Sequence, residues 1–540
     1  MTSLCVPIAV RTIDEALAGA RRARGLGADL VEFRVDGFFA PGDPSTTAGI
    51  VRLVAQSPLP AIVTCRSEAE GGAFTGSDEA RAGLCRALAD APSPPVYIDL
   101  ELASLERSPA LDALARDLAS RSAGGAPSPR VIVSLHDFAG RPEDLARRLV
   151  RLRQRDDAAV HKIVWRARSV RDNLELFEIL AARDRPTIAL GMGEFGLMSR
   201  VLAPKFGAFL TFAAPDRAGA TAPGQPTVSE LLGLYRFRSI GPTTRVFGVI
   251  GWPVGHSRSP AAHNAAFEAA GFDGVDLPIP IPPEWEHFAA TVDALTEDPR
   301  LDFAGASVTI PHKAHLVRFA RDREGWSIDE MSESCGAGNT VCRDTDGWRV
   351  ANTDAPAVLA CLHDAGLEPG GARVTILGAG GVARSAAAGL LAGGSSVTVA
   401  ARTVERAETL ARDLAPIAQR AGGAISAAPW RDAAAIDADA IINATPVGMA
   451  GGPDPSGEPI DLSVVTARGA RPIVFDTVYT PRQTPLIVRA RALGLRTIDG
   501  EGLFLRQAEA QSRLFMGREP PAGVMERALS SRPEGLREGG

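Results

Sequence analysis

The feature that most constrains this chain is a repeated alternation of short apolar runs and amphipathic stretches over its first 240 residues. Eight runs have the length and composition of strands: VPIAV from Val6, DLVEFRV from Asp29, AIVTCR from Ala61, PVYIDLE from Pro95, RVIVSLHD from Arg130, AVHKIVW from Ala159, PTIALGM from Pro186 and AFLTFA from Ala208. The spacers, IDEALAGARRARGLG and EDLARRLVRLRQR among them, place apolar residues at helical intervals. Eight β-α repeats in this length predict an α/β chain that begins with a TIM (β/α)8 barrel. Periodicity by itself also admits an open doubly wound sheet.

The alternation breaks at TVSELLGLYRFRSIGPTTR, which reads as a closing helix followed by a short Gly-Pro-Thr linker. A new α/β pattern starts with RVFGVIGWPV near Val246, and a second with RVTILGAGGVARSAAAGLLAGG at Arg373. At 540 residues the chain is too long for one core. The expected division is a barrel over 1–240, a substrate-binding unit over 245–355, a Rossmann unit over 356–515, and a polar, frayed tail over 516–540. The net charge of -6 argues against a nucleic-acid partner. The opening MTSLCVPIAV carries no basic segment followed by a long apolar run, and no membrane span is evident, so a cytoplasmic location is expected. Six cysteines, none in a CxxC pair or beside a histidine cluster, are expected to be buried reduced thiols with no metal site.

Lysine and arginine total 58, yet only Lys162, Lys205 and Lys313 are lysine. Guanidinium stays protonated, whereas an amine can lose its proton and act as nucleophile or base. Lys162 lies inside the apolar run VHKIVW. Desolvation there is expected to lower its pKa and suit it to Schiff-base formation with a ketone. In a TIM barrel reactive groups gather at the C-terminal strand ends. Those ends here carry Glu32 and Arg34, Arg66 with Glu70 beyond it, His136 as a proton carrier, Met192, and the loop Thr221 to Gln225. Taken singly, Glu32 and Arg34 read equally well as an ion pair, and His136 as an interior histidine bonded to the backbone. Together they favour a site for an anionic ketone. Lys205 reads as a surface residue.

In the second half, ILGAGGVAR sets Gly378, Ala379, Gly380 and Gly381 between a strand and a helix, a GxGGxxR pattern whose backbone N–H groups can face a pyrophosphate. The next strand ends in Ala401, Arg402 and Thr403 with Arg406 close behind, where an NAD enzyme usually has an acid for the ribose hydroxyls. Arginines there favour the 2′-phosphate of NADP, although Arg406 reads also as a solvated helix charge. Lys313 in VTIPHK and Asp354 in ANTDAPA can relay a proton to a ketone oxygen that receives hydride, provided the fold brings them together.

The ordered set EFRVD, TCRSEAEGG, SLHDF, HKIV, GEFGLMSR and TAPGQ resembles type I 3-dehydroquinate dehydratase across nearly all of the first unit. The resemblance implies that Lys162 forms an imine with the substrate ketone. It further implies that His136, oriented by Glu70, moves the protons, that Arg200 and Arg66 hold the carboxylate, and that Glu32, Arg34, Thr221 and Gln225 contact hydroxyls. Thr221 is often serine in that family. GWPVGHSRSPAAHN, VTIPHK, GAGNT, NTD, GAGGVAR, INATPVGM and FDTVYTPRQTPL resemble shikimate dehydrogenase over most of residues 245–515. This implies Lys313 and Asp354 as the catalytic pair and Ser257, Ser259, Thr309, Asn339, Tyr479 and Gln507 around the substrate, with Thr445 of INATPVGM on the cofactor side. The chain departs from that family at Ser307, Ala401, Leu503-Phe504 and Ala355. The expected function is that of a bifunctional shikimate-pathway enzyme. It takes 3-dehydroquinate to 3-dehydroshikimate and then to shikimate with NADPH, and these small molecules are its expected partners. The alternatives are a catabolic quinate/shikimate dehydrogenase fusion and a regulatory pseudoenzyme. The presence of Lys162, His136, Lys313 and Asp354 weighs against the second.

Overall fold

The structure, a computed structural model, describes residues 1–123, 127–321 and 323–530. All eight strands of the first unit form where the apolar runs predict them: β1 (Ser3–Ala9), β2 (Leu30–Arg34), β3 (Ala61–Thr64), β4 (Tyr97–Glu101), β5 (Arg130–Asp137), β6 (Ala158–Arg166), β7 (Thr187–Met192) and β8 (Leu210–Phe212). They pair in parallel in sequence order, β8 returns to lie beside β1, and Phe209 N–H donates to Thr187 O at 2.9 Å across the remaining seam. Side chains alternate along each strand. Val31, Phe33, Ile98, Leu100, Val133 and Ile163 pack outward against the helices. At the strand starts the other face is apolar, with Leu30, Ile62, Tyr97, Ile132, Val160 and Ile188 in one cluster. Further along the same inward set the residues become polar: Glu32, Thr64, Asp99, Ser134 and Lys162 are all buried. The helices between strands are capped locally. Thr12 accepts from Glu15 N–H at the start of Ile13–Leu26, and Gly27, at φ 96°, ends it in the left-handed region.

The second unit holds β9 (Arg245–Gly251), β10 (Gly274–Pro280), β11 (Phe303–Val308), β12 (Trp326–Ile328), β13 (Thr340–Arg343) and β14 (Trp348–Ala351) in one mixed sheet, in the order β10-β9-β11-β13-β14-β12. The third holds β15 (Arg373–Leu377), β16 (Ser396–Ala401), β17 (Ala424–Pro429), β18 (Ala440–Asn443), β19 (Ile473–Asp476) and β20 (Thr497–Ile498) in the order β17-β16-β15-β18-β19-β20. Every pair in this sheet is parallel. Counted from β15 this is the 3-2-1-4-5-6 order of a Rossmann sheet, with a crevice where β15 and β18 diverge. No helix among the described residues is long and apolar enough to cross a membrane. All six cysteines are buried and unpaired.

Three expectations are corrected. The closing helix of the barrel is only a π-helical turn, Glu230–Leu234, followed by a 3-10 turn, Phe237–Ser239. Gly233 weakens the helix, and Arg236 leaves it at φ 51°. Lys205 is no surface residue: it is 7% exposed, and its Nζ donates to Pro242 O at 2.9 Å and Thr244 O at 2.8 Å, fastening the linker to the barrel. The stretch after Met516 is not frayed throughout. Val524–Ser530 is a helix whose Met525 and Leu529 are buried with Ala262 and Ala266 of the helix Ser259–Ala269. The rest of the expected tail, 531–540, lies outside the described residues.

The barrel and the second unit also meet directly. Phe195 stacks on Trp252 with ring centroids 5.8 Å apart and planes 9° from parallel, and Arg300 of the second unit pairs with Glu178 of the barrel.

Candidate active sites

In the barrel, Lys162 projects from the middle of β6 and is 4% exposed. Its Nζ donates to Asp99 Oδ2 at 2.9 Å and Glu32 Oε1 at 3.2 Å, and lies 4.7 Å from the centre of the Phe212 ring. Thr64 Oγ1 donates to the same Glu32 oxygen at 2.8 Å. The amine is therefore held between two carboxylates rather than standing alone in apolar surroundings. Arg34 does not pair with Glu32; it forms a two-bond ion pair with Asp36.

Arg66 ties the two sides of the site together. Its guanidinium donates to Asp99 at 2.9 Å and Ser134 at 2.8 Å and lies 3.9 Å from Glu70. Glu70 Oε2 accepts both the backbone N–H of His136, at 3.1 Å, and its Nδ1, at 3.0 Å, which fixes the ring and leaves Nε2 for a substrate. Burial raises the Glu70 carboxyl to about 7. Burial, with Arg66 and Lys162 adding to it, pushes His136 well below its ordinary value, so its ring is a neutral proton acceptor at pH 7. Burial would raise Asp99, but Arg66 and Lys162 outweigh it and hold the acid well below the usual carboxylate range.

Arg200 differs from Arg66. It is 2% exposed, and among the described residues its only side-chain bond is to Phe212 O at 3.4 Å and its Nε has no partner. Burial lowers it to about 10, yet it remains a cation at neutral pH with no carboxylate beside it among the described residues. A buried guanidinium without a counter-ion is unfavourable unless a ligand supplies the anion. Its helix, Leu197–Val201, follows the turn Glu194–Gly196, and Gly193 N–H in that stretch donates to Pro223 O of the TAPGQ loop at 2.9 Å. Within that loop Gln225 Oε1 accepts from Thr221 N–H at 3.0 Å.

In the second unit, Lys313 opens the helix Lys313–Ala320 and Asp354 opens the helix Asp354–Asp364. Their side chains meet at 2.5 Å, both buried. Asn339 Nδ2 donates to the other Asp354 oxygen and to Thr353 Oγ1, each at 2.9 Å. Ser257 and Ser259 hydrogen-bond each other at 3.2 Å, Thr309 follows β11 and is tied to Ile250 O, and Tyr479 lies against Phe504, whose carbonyl accepts from Gln507. The Lys313–Asp354–Asn339 set is thus directly bonded, whereas these others stand as separate contacts. Ser307, the departure from the usual asparagine, donates to Gln511 Oε1 at 2.8 Å.

At the Rossmann crevice Gly378 has φ 107°, and a Cβ there would stand 2.9 Å from Ala444 O and from Thr445 Cγ2. Gly380 caps the helix Gly381–Ala392 without any side-chain bond, and a Cβ on Gly381 would meet the Lys313 stem at 3.0 Å. The glycine turn therefore lies directly against the lysine of the neighbouring unit. Arg402, Thr403 and Arg406 are exposed after β16, and neither arginine has an ion-pair partner among the described residues.

Asp99, Glu101, Ser134 and Gln511 escaped the sequence reading. Asp99 and Glu101 had a signal in PVYIDLE, acids inside an apolar strand, the same criterion that singles out Lys162. Gln511 had none, since a glutamine on an amphipathic helix reads as surface.

Family models match in chain order. The model for type I 3-dehydroquinase matches residues 4–242, that for the shikimate dehydrogenase substrate binding domain 249–341, and that for shikimate / quinate 5-dehydrogenase 365–445. Over 537 residues the chain is 34% identical to the bifunctional 3-dehydroquinate dehydratase/shikimate dehydrogenase, chloroplastic, of Arabidopsis thaliana, covering 96% of this chain and 82% of that one. It is 40% identical over 296 residues to a shikimate dehydrogenase (NADP(+)) of Geobacter sp. (strain M21), covering 54% of this chain and 96% of that one. Among solved structures, the shikimate 5-dehydrogenase of Thermus thermophilus in complex with NADP(H) and shikimate superposes with a TM-score of 0.44 at 30% identity, over 53% of this chain and 98% of that one.

Proposed function

Because the chain belongs to the family of bifunctional 3-dehydroquinate dehydratase/shikimate dehydrogenases, we propose that Lys162 and Lys313 carry its two successive reactions. It dehydrates 3-dehydroquinate to 3-dehydroshikimate and reduces that product to shikimate with NADPH. The observation that carries the residue assignment is the placement of each amine: Lys162 between Glu32 and Asp99, Lys313 against Asp354.

In the first reaction the substrate carboxylate sits on Arg200, with Arg66 bordering it, while Arg34, Glu32, Thr221 and Gln225 contact hydroxyls. Glu32 takes a proton from the Lys162 ammonium, the free amine adds to the ketone, and water leaves to give a protonated imine. The imine acidifies the neighbouring C–H. His136 Nε2 accepts that proton, then returns it to the departing hydroxyl, so a second water leaves. Hydrolysis of the imine consumes one water, and the net change is the loss of one.

In the second, the residues fit NADP: the open Gly380 side and uncapped helix suit a pyrophosphate, Ala379 and Thr445 border it, and Arg402 and Arg406 suit a 2′-phosphate beside Thr403. The bound cofactor supplies hydride to the ketone carbon. The Lys313 ammonium gives a proton to the ketone oxygen and recovers one through Asp354, which Asn339 holds in place. Ser257, Ser259, Thr309, Tyr479 and Gln507 hold the substrate. We assign 1–240 to the dehydratase, 245–355 to substrate binding by the reductase and 356–515 to NADP binding. Six unpaired buried thiols support a reducing, cytoplasmic setting.

The test is incubation of the purified chain with 3-dehydroquinate and NADPH. Shikimate is the expected product, and borohydride is expected to trap a covalent adduct in the wild type but not in Lys162→Ala. An adduct that survives that substitution removes Lys162 from its role.

A further inference from the structure

Behind the dehydratase site, on the helix Asp78–Ala89, lies Arg81, a cation that no step above uses and that is only 1% exposed. One η nitrogen makes a short contact to Glu101 Oε2 and a bond to Cys65 O at 3.2 Å; the other donates to Asp78 and Ser104, each at 2.6 Å. Glu101, itself 1% exposed, accepts Ser67 N–H at 2.8 Å through its second oxygen, which lies 3.6 Å from Arg66. Arg66 in turn spans Asp99, which holds Lys162, and Glu70, which holds His136. We propose that Arg81 and Glu101 are positioning residues that anchor Arg66 from behind and so govern the Glu70–His136 pair.

This inference rests on the roles given above to Glu70, His136 and Lys162. The charges give it a direction. Five carboxyls, Glu32, Glu70, Asp78, Asp99 and Glu101, face four cations, Lys162, Arg66, Arg81 and Arg107. The set lacks one positive charge, and Glu70 is the acid whose affinity for a proton is raised. The groups that face Glu70 are His136 from β5, Asp99 and Glu101 from β4, Arg66 from its own loop, and, beyond Asp99, Lys162 from β6 with Glu32 from β2. Arg34 also stands on β2, already joined to Asp36. Neutralising Arg81 leaves Glu101 to draw Arg66 away from Glu70, which strengthens the hold of Glu70 on its proton. Neutralising Glu101 frees Arg66 toward Glu70 and weakens it.

The experiment measures dehydratase kcat against pH for the full chain as Arg81→Gln, Glu101→Gln and the double variant. The reductase rate on the same chain normalises enzyme concentration, and borohydride trapping reports an intact Lys162 site. The midpoint of the acid limb is expected to rise by about one pH unit in Arg81→Gln, to fall by about as much in Glu101→Gln, and to return near wild type in the double variant. Arg81→Lys, which keeps the charge, is expected to restore the wild-type midpoint. Should Arg81→Gln fail to trap, Glu101→Gln and Arg81→Lys carry the test. Midpoints that stay fixed, or that move in the same direction, while trapping persists overturn the inference. Failure of trapping in the wild type overturns instead the assignment of Lys162.

Discussion

At the residue scale the two sites handle protons differently. In the barrel, Glu70 must be ionised to accept the His136 Nδ1 proton, and burial raises its carboxyl to about 7. Below that pH Glu70 is protonated and His136 loses its orienting acceptor, so dehydratase kcat is expected to climb as pH rises through about 7. Glu70→Gln cannot titrate, and its profile is expected to lose that limb while kcat falls by roughly tenfold to a thousandfold; a limb that persists assigns the titration to another group. In the reductase, Lys313→Ala removes the proton donor and is expected to lower kcat by roughly 100- to 10,000-fold with a much smaller change in the KM for 3-dehydroshikimate, read from initial rates. Polarity inside an apolar strand made Lys162 legible in the sequence. Its carboxylate neighbours were not legible as partners, because Glu32, Asp99 and Lys162 come from three strands and meet only when the barrel closes.

At the scale of elements, the strands were legible because inward and outward positions alternate along each apolar run. The Rossmann turn was legible because Gly378 takes a backbone conformation that favours glycine. Gly378→Ala sets a left-handed strain of about 1–3 kcal/mol against a Cβ only 2.9 Å from Ala444 O. It is expected to raise the KM for NADPH roughly tenfold or more while dehydratase turnover on the same chain stays at the wild-type level. The end of the barrel was harder to read. TVSELLGLYRFRS has helical spacing, but the outcome depended on Arg236 turning to a positive φ and donating to Gly274 O of the neighbouring unit, a long-range contact that spacing does not encode. The C-terminal helix was missed for the opposite reason: a polar composition hid Met525 and Leu529, four residues apart, which face the helix Ser259–Ala269.

At the scale of the whole molecule, Lys205 accounts for the one lysine without a chemical role. Its ammonium offers three donors to carbonyls that a planar guanidinium would meet in a different geometry, and it ties Pro242 and Thr244 to the barrel. Lys205→Met is expected to cost about 1.5–3 kcal/mol. It should speed proteolytic cutting between Gly241 and Thr244 while both activities persist; unchanged cutting shows that the other contacts across the seam suffice. The stacked rings at that seam carry a broader consequence. Phe195 sits in the turn that leads to Arg200, and Trp252 in the loop that leads to Ser257 and Ser259. Replacing either ring therefore perturbs a loop in each enzyme. The halves are therefore not expected to behave as interchangeable cassettes: a reductase transplanted from a free-standing relative would need position 252 refitted to Phe195.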